Sequence, residues 1–133
     1  MSDANVKLVQ SLYDAFKRGD IATIVNALAP DVDWQVHGDP KDFPTIGRWS
    51  GPAGAQDFFR TVAQHLDAGE FTPQEFHANG EAVTALGRYR WTVRATGKQA
   101  GGEWCHVFNI KNGKVTRFRE YTNTASFAAA ARR

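Results

Sequence analysis

From Val83 to Arg94 the chain alternates without a break. Val83, Ala85, Gly87, Tyr89, Trp91 and Val93 fall on one side, and Thr84, Leu86, Arg88, Arg90, Thr92 and Arg94 on the other. A two-residue period sustained that far sets one face against a core and the other toward water, so the stretch is a half-buried strand. Such a strand needs partners, and the sequence supplies them on both sides. A strand expected over residues 71–78 meets the tight-turn dipeptide Asn79-Gly80. Residues 96–102 then turn, and 103–110 with 114–122 form a hairpin about Asn112-Gly113.

The first half is helical by contrast. Val9, Leu12, Tyr13 and Phe16 recur at helical spacing and make one apolar stripe. Lys17 and Arg18 suit the negative end of that helix, Gly19 suits a left-handed exit, and Asp20 suits the cap of a second helix. The second stripe is Ile21, Ile24, Val25 and Leu28, with Pro30 expected to stop it. Residues 31–38 read as a strand with Val32, Trp34 and Val36 on one side. The proline-bearing stretch 38–50 reads as a loop with a short strand near 46–49. Pro52 opens a third helix whose stripe is Ala55, Phe58, Phe59, Val62 and Leu66, with Gly69 expected to end it. A short alanine-rich helix follows from about Ala125.

Helices first and hairpins after them make an α+β domain, and 133 residues suit a single one spanning 1–133. Sixteen basic against fourteen acidic residues leave a net charge of +2, with no cationic run, so nucleic acid is not an expected partner. No apolar run reaches the roughly 18 residues of a membrane span, so a membrane is not expected either. Residues 1–5 lack the basic start and apolar stretch of a secretory signal. With Cys105 as the only cysteine, a reducing, cytoplasmic setting is expected.

Four pieces, taken in order, resemble a known family. They are Arg18-Gly19-Asp20; Ala29-Pro30-Asp31-Val32-Asp33-Trp34; Gly51-Pro52 with Phe58-Phe59; and the run from Trp104 to Val115. Together they resemble the SnoaL-like polyketide cyclases, within the nuclear-transport-factor-two-like and ketosteroid-isomerase-like superfamily. The resemblance implies a cone-shaped fold, with three N-terminal helices on a strongly curved, mostly antiparallel sheet around a central pocket. It also implies a homodimer built on the outer sheet face, and cofactor-free chemistry on a small apolar molecule. Isomerisation, cyclisation, dehydration and hydrolysis all occur on this fold, as do binding and protein interaction without catalysis, so the residues of the site must decide.

The ketosteroid-isomerase pattern itself does not carry over. Trp34 and Val36 stand where that enzyme has its carboxylate base. A gapless match puts Leu12 at its first-helix tyrosine, with Tyr13 one position off, and His106 falls where its neutral acid would be. The candidate site is therefore His106 with Glu120, a pair suited to acid–base work, His106 exchanging the proton and Glu120 orienting it. Whether they share a face depends on the turn. A two-residue Asn112-Gly113 loop sets His106 opposite Arg119, whereas a three-residue loop with a glycine bulge sets it opposite Phe118 and brings Trp104, Phe108 and Glu120 to the same side. The resemblance favours the second.

On that arrangement Trp34, Val36, Phe59, Tyr89, Trp91, Trp104, Phe108 and Phe118 are the expected lining for a small apolar ligand. The plainer alternatives are a hydrogen-bonded core histidine, a surface Glu120 and tryptophans that only pack. Arg88, Arg90 and Arg94 suit a solvated outer face. His37 and Asp39 are too few for a metal site, so neither metal nor cofactor is expected.

Overall fold

The computed structural model describes residues 2–133. In order they form α1 (Ser2–Lys17), α2 (Ile21–Asn26), β1 (Leu28–Val36), β2 (Gly47–Ser50), α3 (Gly51–His65), β3 (Leu66–Asn79), β4 (Ala82–Val93), β5 (Gln99–Lys111), β6 (Lys114–Thr122) and α4 (Thr124–Ala131). One six-stranded sheet has the order β2-β1-β6-β5-β4-β3. Every neighbouring pair is antiparallel except β1 with β6, which run parallel. The arrangement is α+β, and among the described residues no helix is long and apolar enough to cross a membrane.

The joints between elements follow local chemistry. Gly19 leaves α1 with φ +72°, and the Asp20 carboxylate accepts from the Thr23 backbone N–H and hydroxyl, capping α2. That pairing holds the Asp20 carboxyl below its ordinary value. The core stripes of α1 and α3 close on the inner sheet face: Val9, Leu12, Ala55 and Phe58 are buried with Val83, Ala85 and Val93 of β4. The alternation of β4 is realised in full, with Val83, Ala85, Tyr89, Trp91 and Val93 buried and Arg88 and Arg90 exposed.

Two helices stop earlier than their stripes suggest. The second ends at Asn26, and Leu28 belongs to β1, because the Lys114 ammonium and the Val115 N–H take the carbonyls of Asn26 and Ala27. Pro30 thus lies inside a strand, at an irregular stretch between Leu28 and Asp33 where no ladder donor is needed. The third helix ends at His65 rather than at Gly69. Leu66 turns extended to pair with Val93, while Arg94 donates to the carbonyls of His65 and Ala63. Gly69 sits at a register shift of β3 against the Arg90 carbonyl, where a Cβ would clash.

The hairpins also differ from expectation. Gly80-Glu81, not Asn79-Gly80, forms the β3–β4 loop, since Asn79 still pairs with Ala82. Strand β5 begins at Gln99, inside the segment expected to turn. At the turn itself the β5–β6 hairpin follows the two-residue alternative and not the favoured three-residue loop, but neither alternative's register is kept as far as His106. Asn112 and Gly113 form a two-residue turn with φ of 54° and 75°, as a primed hairpin turn requires, and Lys111 pairs with Lys114. Ile110 then pairs with Val115 but Asn109 with Arg117, so Thr116 is an extra residue, its hydroxyl donating to the Asn109 carbonyl. This bulge sets His106 directly opposite Glu120 and Phe108 opposite Phe118.

Candidate functional site

The inner face of β5 carries Trp104, His106 and Phe108, and the facing residues of β6 are Phe118 and Glu120. Helix α1 lays Tyr13 over them. The Tyr13 hydroxyl lies 2.7 Å from His106 Nδ1, and His106 Nε2 lies 2.9 Å from Glu120 Oε1. A carboxylate only accepts, so Nε2 carries the proton that Glu120 receives; in the neutral imidazole Nδ1 accepts from the Tyr13 O–H. Burial drives the Tyr13 pKa well above its ordinary 10.0, and the Glu120 and Cys105 charges push the same way, so Tyr13 keeps its proton.

Aromatic rings wall this line in. Trp104 stacks on the imidazole at 4.1 Å, and Phe118 meets it edge-on at 4.9 Å. Phe118 in turn stacks on Trp34 at 3.9 Å, and Trp34 contacts Phe58 and Phe59. Between the helices and the sheet lies a cavity of about 110 Å³ whose wall is almost wholly apolar. Of the residues expected from sequence, Trp34, Phe59, Tyr89, Trp91, Trp104, His106, Phe108, Phe118 and Glu120 all line it. Val36 does not: it is buried in the core, paired with Gly47 and Glu120 on its two edges.

Several lining residues were not anticipated. Tyr13 belongs to the α1 stripe, which marked it as core and gave no hint of a hydrogen bond to β5. Phe71 and Phe127 are aromatic residues of β3 and α4, and Thr45 comes from the loop between β1 and β2. Tyr89 has its pKa raised, first by burial and then by the Glu120 charge, against the opposing Thr122 and Ser126 hydroxyls.

Other candidates fall elsewhere. Cys105 points to the opposite sheet face, and burial raises its thiol pKa against the pull of Arg119, which makes it a poor nucleophile. His37 stacks on Tyr121 at 4.3 Å, while the Asp39 carboxylate accepts from the Lys41 N–H. Among the described residues no three His, Cys, Asp or Glu side chains gather as metal ligands would.

A family model described as "SnoaL-like domain" matches residues 9–118. Among solved structures, an NTF2-like protein of unknown function from Burkholderia pseudomallei is 31% identical with a TM-score of 0.88, covering 98% of each chain. An NTF2-like protein from Burkholderia xenovorans is 26% identical with a TM-score of 0.89, over 99% of this chain and 98% of that one. TerC, co-crystallised with polyporic acid, is 26% identical with a TM-score of 0.84, over 96% and 97%. No match is found among curated proteins.

Proposed function

Because the chain belongs to the SnoaL-like domain family, we propose that its cavity takes a small, largely apolar molecule bearing a carbonyl or similar enolisable group, and moves a proton on it without a cofactor. The reaction class is isomerisation, cyclisation, dehydration or hydrolysis. The observation that carries this reading is the Tyr13–His106–Glu120 line set in an apolar wall. A hydrogen-bonded line of titratable groups is costly to bury among aromatic rings, and acid–base work is what such an arrangement suits. The ligand-bound relative TerC lends support to a small-molecule role.

The division of labour differs from the one suggested by sequence. Both nitrogens of His106 are occupied, and the ring is almost wholly covered. Glu120 is the more open partner, 21% exposed at its side chain; Oε1 is held by His106, and Oε2 has no hydrogen-bonding partner among the described residues. In this reading Oε2 takes the proton from the ligand, forming the carboxylic acid and leaving an enolate. With His106 protonated, Nδ1–H donates to the Tyr13 oxygen, and the Tyr13 O–H is then free to donate to the ligand oxygen. His106 couples the two groups that meet the ligand.

Deuterium uptake into the methyl group of acetophenone, followed by NMR in D2O, tests the reading. The protein should accelerate exchange over buffer, and Glu120→Gln should lower the acceleration roughly 100-fold. Exchange at the buffer rate, with the ketone bound, would leave a binding domain without catalysis. We propose further that the chain pairs with a second copy through the outer sheet face, where Leu86, Cys105 and Tyr121 lie side by side across β4, β5 and β6. A monomer mass by light scattering across micromolar concentrations would remove that proposal.

A further inference from the structure

Of the four tryptophans, two have an acceptor for the indole N–H and two do not. Trp49 donates to the Thr45 carbonyl at 3.3 Å, and Trp91 to the Glu70 carbonyl at 3.0 Å. Trp34 and Trp104 are each 3% exposed, and neither indole nitrogen has a hydrogen-bonding partner among the described residues. Their surroundings differ. The Cε2–Cζ2 edge of Trp104, next to its nitrogen, fills the space over Gly87, so that edge is set against β4. Trp34 packs among phenylalanines: Phe118 stacks on it at 3.9 Å, and Phe58 and Phe59 of α3 lie at 5.7 and 5.4 Å. The Tyr89 hydroxyl, also unpartnered on this wall, has the Thr122 and Ser126 hydroxyls close by. Trp34 has no such polar neighbour to turn to.

An indole N–H only donates, and a buried donor without an acceptor is destabilising; phenylalanine would stack on Phe118 without that cost. Trp34 lines the cavity close to the acid–base line without belonging to it. In the sheet it stands opposite Phe118, one inner-face step from Glu120, about 7 Å along the strand. The Phe118 ring contacts both the Trp34 indole and the His106 imidazole and links the two. We propose that Trp34 is a specificity-determining residue whose indole N–H donates to a second oxygen of the ligand, apart from the carbonyl that reacts. The substrate class is thereby narrowed to one-ring molecules carrying an acceptor oxygen, carbonyl or ether, besides the reacting one. An apolar cavity of about 150 Å³ takes benzene, so a cavity of about 110 Å³ takes one ring with small side-chain movement. Trp34 Nε1 is covered by its neighbours, so the movement that admits the ring must also uncover it. This inference rests on the cavity being a ligand site.

The test uses cyclohexane-1,4-dione and 4-methylcyclohexanone, close in shape and differing in the distal oxygen. Binding is followed by proton–nitrogen NMR, in which each tryptophan gives its own indole N–H signal. The whole chain should prefer the dione roughly tenfold, because the methyl compound leaves one buried donor unpaired. In the dione complex the Trp34 indole proton should move downfield, while those of Trp49 and Trp91, already bonded to carbonyls, stay in place. Trp34→Phe keeps a ring against Phe118, removes the donor and should abolish the preference. Equal affinity of the wild type for the two compounds, an unmoved Trp34 signal with the dione bound, or a preference that survives in Trp34→Phe overturns the role of Trp34 and leaves the cavity standing. The wild-type signal decides the matter even if the phenylalanine variant does not fold. Failure of the wild type to bind either compound at millimolar concentration overturns the reading of the cavity and this inference with it.

Discussion

Strand β5 has two flanks, and they are built differently. Toward β4 its ladder runs unbroken from Asn109 opposite Ala82 to Gln99 opposite Thr92. Toward β6 the ladder breaks between Asn109 and Ile110, where Thr116 is inserted. The regular flank is a packing device: Gly87 lies opposite Trp104 and leaves the space that the indole fills. The irregular flank is where His106 meets Glu120. Rigid regularity on one side holds the ring wall in place, while a single extra residue on the other decides which charge the imidazole faces.

The comparison is broken most severely at the regular flank. A side chain at Gly87 would occupy the volume of the Trp104 indole and press on the Thr72 carbonyl. Gly87→Val should therefore cost about 3 kcal/mol, seen as a lower urea midpoint with unchanged slope, and should displace the tryptophan from His106. A stability equal to wild type would show that β4 and β5 yield more readily than the unbroken ladder implies.

The irregular flank is probed through Tyr13, which holds His106 from α1. Tyr13→Phe removes one partner of a buried imidazole and should cost about 2 kcal/mol at neutral pH by urea unfolding. The pH dependence has a definite sign. The folded-state pKa of Tyr13 is raised above the ordinary 10.0, so the folded chain retains a proton that the unfolded chain loses. Its contribution is complete below about pH 10 and falls away above it. Urea midpoints of wild type should thus drop more steeply than those of Tyr13→Phe as pH rises past that value. Parallel slopes would contradict the buried hydroxyl.

The smallest effect is expected at the bulge itself. Removing Thr116 would let Arg117 follow Val115 with every later pair unchanged, so the ladder becomes continuous without flipping β6. Stability should change by no more than about 1 kcal/mol, and the imidazole NMR signals should keep their hydrogen-bonded shifts. Loss of those shifts would mean that the pairing of His106 with Glu120 depends on the bulge and not merely on the register it sets.

The same contrast explains what could be read from the residues in advance. The regular flank was legible because its period is local: Val83, Ala85, Tyr89, Trp91 and Val93 announce a face by spacing alone. So were Gly19 and Asp20, whose roles depend on φ and on a carboxylate three residues from an N–H. The Asn112-Gly113 turn was legible as a turn, yet the register beyond it was not. Nothing in the side chain of Thr116 announces an insertion, and the Val115 N–H is taken by Ala27, a residue from the other end of the chain. For the candidate site, the shared face of His106 and Glu120 was anticipated by way of a glycine bulge, but the bulge lies at Thr116. Tyr13 was passed over because a gapless match set Leu12 at the isomerase's tyrosine position, and a tyrosine on an apolar stripe looks the same whether its hydroxyl meets water or a ring nitrogen.

The parallel seam between β1 and β6 has a consequence for how the molecule comes into being. It joins the first strand to the last, so this contact is among the most distant in the chain and closes against a large loss of loop entropy. On the ribosome, Tyr13 emerges early and His106 late, and the carboxylate later still. Until residues 114–122 are released, β1 and β5 each present a bare edge to whatever other chains are nearby. Strand β6, which closes this seam along one edge and completes the proton line along the other, thus leaves the nascent chain vulnerable to misassembly until residues 114–122 are synthesised.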